Sequence, residues 1–243
     1  MPAVTIVGLD LAWGERKPDG LCLLAGNARG ARVVRHDLTF GDDDLAAWFR
    51  KNVPAGPALV MADGPIVCPN PTGSRPVDRL THTLFGRFHA ACHPANATKC
   101  PRPARVAARL GELGFRVGWE PGRSGRLVAE VYPHPAMVRL FGLDRIVKYK
   151  KGPVVERRRE FRRLQILLRA CLAGQFPEVT LPPETRRLLR TPWTKNVEDQ
   201  TDALFCALIG WRHWRDRGRT SEVIGDLGTG FILLPRADGW AGA

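Results

Sequence analysis

The sequence predicts an α/β protein in which a mixed sheet carries helices on its flanks. Three observations point that way. Apolar, strand-forming runs of six to eight residues recur along the chain. Between them lie segments whose apolar residues recur three and four apart, the spacing of a helix with one buried face. One run, 57–62 (PALVMA), shows no polar alternation, as expected of a central strand covered on both faces.

Taken in order, residues 3–9 (AVTIVGL) read as the first strand, closed by Asp10. Residues 20–25 (GLCLLA) and 31–38 (ARVVRHDL) follow, separated by the turn formers Gly26, Asn27 and Gly30, so the first three strands suggest a hairpin meander. A helix over 42–52 opens on Asp42, Asp43 and Asp44, which suit its electropositive end, and buries Leu45, Trp48 and Phe49. The strand 57–62 ends at Asp63 and breaks at Gly64 and Pro65. Helices are expected over 75–91, with Leu80, Leu84 and Phe88, and over 102–114. Residues 127–132 (LVAEVY) form a further strand, stopped by Pro133 and Pro135 before a short helix through Phe141. The basic stretch Lys148, Tyr149, Lys150, Lys151 precedes a long arginine-rich helix over 154–174. A helix over 197–215 and a hairpin pairing 221–225 with 230–234 complete the chain. The span 66–120 reads as an elaboration of the core, within a single domain over 1–243.

Composition narrows the function classes. With 243 residues, 44% hydrophobic and 25% charged, the chain is of ordinary globular type, which excludes a disordered or collagen-like protein. No apolar run approaches the roughly 20 residues needed to span a bilayer. The first residues reach Asp10 without a basic region or cleavage site, so no signal peptide is expected and the expected location is the cytoplasm. Net charge is +13, which favours a polyanionic partner such as nucleic acid. The competing account is plain arginine abundance, since 30 of the 37 basic residues are arginine.

Six cysteines are scattered without a CxxC pair, and Cys22, Cys171 and Cys206 lie among apolar neighbours as small core residues. Cys68, Cys92 and Cys100, with His82, His89 and His93, offer zinc-type ligands at spacings that match no common zinc pattern. No GxxxxGK[ST] phosphate loop is present, which argues against a nucleotide-phosphate enzyme of that type.

Three acids occupy strand ends: Asp10, Asp63, and Glu130 within LVAEVY. Open α/β sheets bind ligands at the carboxyl ends of their strands. Clustered carboxylates repel unless a cation neutralises them, and hard divalent ions such as Mg²⁺ or Mn²⁺ take oxygen ligands. A fourth contribution comes from EDQTDALFCAL, where Asp199 and Asp202 are three apart and share a helix face. Helix capping is the alternative for either of them. Around one or two metal ions, Asp10, Asp63, Asp199 or Asp202, and Glu130 have the chemistry to activate water for phosphodiester hydrolysis.

The meander with an acid on its first strand, an acid closing the fourth, and an acid early in a late helix resembles the ribonuclease H-like fold. More closely, GLDLAWG, the ADGP turn, N-x-x-G-x-R (Asn70, Gly73, Arg75), PAN (Pro94, Ala95, Asn96), EVYPHPA, YKK, D-x-x-DA and GDLGTGFILLP resemble the family catalogued as domain of unknown function 429. These motifs run from about residue 5 to residue 235. The family is described as ribonuclease H-like nucleases. The resemblance implies that Asp10, Asp63, Asp199 or Asp202, and Glu130 are the metal-binding and catalytic acids. It also implies that Asp10, Asp63 and Glu130 line one sheet edge side by side.

The remaining candidates carry two readings each. Lys148, Lys150 and Lys151 suit phosphate contacts with Tyr149 as a stacking ring, or a solvated loop. Arg75 and Asn70 suit a substrate anion, or hydrogen bonds that hold their loop. His134 suits a proton shuttle or a partner of a carboxylate, or a turn-stabilising contact, and Trp13 a site wall or simple packing. The arginine face of the 154–174 helix is either a nucleic-acid groove or a wet surface. The two functions weighed are a Mg²⁺- or Mn²⁺-dependent nuclease and a non-catalytic nucleic-acid- or protein-binding module.

Overall fold

Strand β1 (Val4–Asp10) is apolar throughout until its last residue, and it lies at the centre of the sheet. The computed structural model describes residues 3–120 and 125–237. β1 pairs antiparallel with β2 (Asp19–Asn27), which turns into β3 (Gly30–Thr39). On its other side β1 runs parallel to β4 (Ala58–Asp63), the unalternated strand, buried on both faces. The intervening helix α1 (Gly41–Asn52) makes the right type of parallel crossover, with its three aspartates in the first turn. Beyond β4 lie β6 (Arg126–Val131) and the C-terminal hairpin of β8 (Ser221–Asp226) and β9 (Gly230–Pro235).

The order across the sheet is β7-β3-β2-β1-β4-β6-β9-β8, with β5 (Arg116–Val117) paired to β6 and β7 being Val179–Thr180. Nine strands, parallel and antiparallel, and seven helices are found among the described residues. This mixed α/β architecture is consistent with a ribonuclease H-like fold. None of these helices is long and apolar enough to cross a membrane.

The remaining helices are α2 (Pro76–Phe85), α3 (Arg102–Glu112), α4 (Pro133–Phe141), α5 (Val154–Gln175), α6 (Pro183–Leu188) and α7 (Lys195–Arg215). The expected helix over 75–91 is shorter than its apolar spacing suggests. It ends at Phe85, passes through one tighter turn over Gly86–Phe88, and stops where His89 adopts a left-handed φ of 59°. β5, β7 and α6 have no counterpart in the sequence reading. Strands of two residues contain no periodicity, and they form only because a neighbouring strand presents its edge.

Helix α7 determines where the site lies. All its residues from Glu198 through Trp214 except Gln200 are buried, and it packs across β1, β2 and β4. Thr194 caps it, its hydroxyl accepting from the Val197 amide at 3.2 Å. The approach is close because the sheet offers glycine beneath the helix. A Cβ on Gly8 would stand 1.9 Å from the Ala203 carbonyl, and one on Gly20 would stand 2.2 Å from the Asp199 carbonyl. Both contacts are far inside van der Waals distance, so side chains there would lift the helix off the sheet. The first two turns of α7 are thereby pressed against the ends of β1 and β4.

Candidate functional site

The parallel register aligns Asp10 with Asp63, so the two carboxylates project from the same face at the carboxyl ends of adjacent strands. In the antiparallel register, Asp10 faces Gly20, the glycine over which Asp199 passes. One turn further along α7, Asp202 is fully buried and completes the group.

A lysine stands at its centre. Lys150 Nζ is 2.8 Å from Asp202 Oδ2, 3.8 Å from Asp63 Oδ2 and 4.0 Å from Asp10 Oδ1. The preceding residue, Tyr149, is buried, and its hydroxyl donates to Asp202 Oδ1 at 2.8 Å. Beside this group, Lys195 Nζ donates to Asp199 Oδ1 at 2.5 Å and Glu198 Oε1 at 2.8 Å. Asp199 Oδ2 is buried and has no hydrogen-bond partner among the described residues.

The electrostatics follow from this crowding. Burial raises the Asp10 carboxyl well above its usual range, and Lys150 only partly offsets it, while Asp202 and Asp63 add to the rise. Burial likewise lifts Asp63 to about 6 against the pull of Lys150, and raises Asp202. Burial would lower the Lys150 ammonium, but Asp202, Asp10 and Asp63 outweigh it and hold that group well above its ordinary value. One ammonium therefore serves three carboxylates.

The cluster opens into a cavity of about 580 Å³. Asp10, Asp63 and Asp199 line it on one side, and Lys17, Lys148, Lys150, Lys151 and Lys195 contribute ammonium groups. Trp13 and His134 also line the wall. His134 Nδ1 sits 3.2 Å from the Tyr132 hydroxyl, and burial, reinforced by Lys150 and Lys151, lowers its pKa to about 3. The imidazole is therefore neutral at ordinary pH.

Three expected positions are corrected. Glu130 does not stand beside Asp10 and Asp63. Its register partner on β4 is Ala62, one residue short of Asp63, so it projects from the opposite face. There Arg75 binds it through Nη1 and Nη2, both at 2.7 Å. Arg75 is not free to receive a substrate anion. Its five guanidinium N–H groups go to Glu130, Asp78 and the Val67 carbonyl, and it is 2% exposed. Tyr149 offers no stacking surface, because its ring is buried against Phe161 and its hydroxyl is held by Asp202. Asn70 bonds the carbonyls of Thr72 and Ala95, holding its own loop.

Lys148 and Lys151 are exposed at the cavity rim, with Lys151 Nζ 2.9 Å from His93 Nε2. Cys68 and Cys100 are buried together with Ala95 in a small cluster of their own. The sequence reading passed over Lys195. Its spacing of three and four from Glu198 and Asp199 was the available signal.

Among the described residues, no group of three His, Cys, Asp or Glu side chains is arranged to hold a metal ion as the chain stands. The donor set nevertheless has the chemistry a hard divalent ion requires. Asp10, Asp63 and Asp202 are oxygen donors converging on one point, and Asp199 adds an unpartnered buried oxygen. Lys150 Nζ occupies that point, and its long flexible stem is what would have to move.

The mixed sheet, with two in-register carboxylates at adjacent parallel strand ends and a third from the helix laid across them, is that of an α/β protein consistent with a ribonuclease H-like fold. The chain belongs to the family described as protein of unknown function (DUF429), whose model matches residues 8–226. No curated protein and no solved structure matches it.

Proposed function

We propose that the protein is a cytoplasmic, metal-dependent nuclease that hydrolyses phosphodiester bonds, with Asp10, Asp63 and Asp202 holding Mg²⁺ or Mn²⁺. The observation that carries this reading is the convergence of three carboxylates, Asp202 fully buried and Asp10 and Asp63 partly so, on one point at the floor of a cavity rimmed by lysines. A bound divalent ion would supply a water of lowered pKa and stabilise the leaving oxygen. Asp199 stands beside the three acids as an additional oxygen donor. Lys148 and Lys151 hold phosphate oxygens as point charges, and displaced Lys150 turns from the acids to the substrate. His134 lines the cavity wall as a neutral imidazole, and with its pKa held near 3 it serves as a hydrogen-bonding group and not as a base. Glu130 and Arg75 take no part in this chemistry, since each uses the other. The six free cysteines suit a reducing compartment.

A second reading is a nucleic-acid- or protein-binding module without chemistry. The position of Lys150 favours it, because the ammonium already neutralises part of the acid cluster without any ion. Cleavage of labelled DNA and RNA in Mg²⁺ or Mn²⁺, compared between the native protein and Asp63→Asn, separates the two. Metal-dependent cleavage lost in the variant supports the nuclease. Binding without cleavage, indifferent to the acid, supports the module.

A further inference from the structure

A second groove, of about 590 Å³, lies between α5 and the segment joining α6 to α7. Its arginines are Arg158, Arg159, Arg162, Arg169 and Arg190, and no acidic residue lines it. Their surroundings differ. Arg159 is ion-paired with Glu156 at 2.6 Å, and Arg169 donates to the Leu189 carbonyl. Arg158, Arg162 and Arg190 have no carboxylate partner among the described residues. Arg158 and Arg162 are four apart on one helix, where like charges repel and cost stability. An ordinary wet face mixes signs there, as Glu156 and Glu160 do for Arg159 and Arg163.

Between the arginines lie Ile166, Pro192 and Trp193. Ile166 is 53% exposed, and the guanidinium of Arg157 stands over the Trp193 ring at 4.5 Å. A cationic rim around an apolar and aromatic floor fits a polymer that presents both phosphates and bare base faces. A duplex hides its base faces, so a single strand is the better match.

The groove is also connected to the acid site. Arg159 lines both it and a neighbouring depression, which shares Lys148 and Lys151 with the acid-lined cavity. On the other side, Trp193 Nε1 donates to Glu198, which shares Lys195 with Asp199. We infer that the α5 groove binds a run of single-stranded nucleic acid and leads it past Lys148 and Lys151 toward the acid cluster. This rests on the proposed function only in taking the substrate to be a nucleic acid.

The test is fluorescence anisotropy with labelled single strands of about 20 nucleotides and a duplex of equal length, in chelator, across a salt series. The pair Arg158→Glu with Arg162→Glu is compared with Arg29→Glu with Arg50→Glu, exposed residues elsewhere that change net charge equally. The groove pair is expected to weaken single-strand binding at least about tenfold and to flatten the salt dependence by about 1.4 in slope. The control pair is expected to weaken it less than about threefold, with thermal unfolding of both kept near the native value. Equal weakening by the two pairs, or duplex binding as tight as single-strand binding, overturns the groove. If no metal supports cleavage but the groove pair still governs binding, the groove stands and the nuclease reading falls. If cleavage needs Asp63 but the groove pair binds as the native protein does, the groove falls and the nuclease reading stands.

Discussion

The two faces of the sheet each bury an ion cluster, and the clusters are built to opposite standards. On one face, Arg75 uses every guanidinium donor on Glu130, Asp78 and a carbonyl, so no polar group of the arginine is left for a ligand. On the other, a single ammonium reaches three carboxylates at 2.8, 3.8 and 4.0 Å, and a buried oxygen of Asp199 has no partner. The first cluster is closed and holds the 66–85 segment to β6. The second opens on a cavity and carries more negative charge than its lysines can match at contact distance. The contrast teaches that acids at strand ends are separated into closed structural pairs and candidate sites by how fully they are satisfied, not by where they stand in the sequence.

The sharpest break between the faces is expected from the acids. Asp10→Asn and Asp63→Asn are expected to lower metal-dependent cleavage by roughly a thousandfold, about 4 kcal/mol in the barrier. Their thermal unfolding should stay at or above that of the native protein, because a buried charge is removed. Cleavage within tenfold of native in both variants would place the chemistry elsewhere.

Arg75→Ala should do the reverse. Leaving Glu130 and Asp78 buried without their partner is expected to cost about 3–5 kcal/mol of stability by denaturant unfolding. The metal-induced thermal shift of the folded fraction should be retained. A loss below about 1 kcal/mol would contradict the closed cluster.

The pH dependence tests the under-neutralised face. Asp63 is raised from 3.8 to about 6 in the folded protein, so the native state binds more protons than the unfolded chain between those values. Stability should therefore fall as pH rises through that window, by about 2–3 kcal/mol from this group. In Asp63→Asn the fall should shrink by that amount, as read from urea midpoints at pH 4 and pH 7. An unchanged profile would mean that Lys150 neutralises Asp63 fully.

The smallest effect belongs to the rim. Lys148→Ala with Lys151→Ala is expected to raise KM for a nucleic-acid substrate several-fold, about 1 kcal/mol, with kcat kept. A fall in kcat with KM unchanged would move these lysines from binding into the reaction itself.

Much of this architecture was legible in the chain. The unbroken apolar run before Asp63, the meander through Gly26 and Gly30, and the acids before the α1 stripe each carry their own local physics. They suffice for the α/β class and for most element positions. Asp10, Asp63 and the Asp199–Asp202 pair were legible as candidates for the same reason, since carboxylates at strand ends and helix starts stand out against apolar neighbours. The +13 charge and the arginine run of α5 fit a polyanionic partner and plain arginine abundance equally, and neither says which face would carry a ligand.

What tertiary structure alone decided is which of these groups meet. The strand period is two, so a one-residue difference in register put Glu130 with Arg75 and left Asp63 with Asp10, and no local pattern records that offset. The glycines at 8 and 20 allowed α7 close enough to add Asp202, a contact between segments nearly 200 residues apart. Lys150 reached the centre of the acids because the buried Tyr149 pins its segment to Asp202. Sequence determined the chemistry on offer, because side-chain type and local periodicity are properties of neighbours in the chain. Register, close approach and ion pairing belong to neighbours in space, and those decided which acids came together as a candidate site.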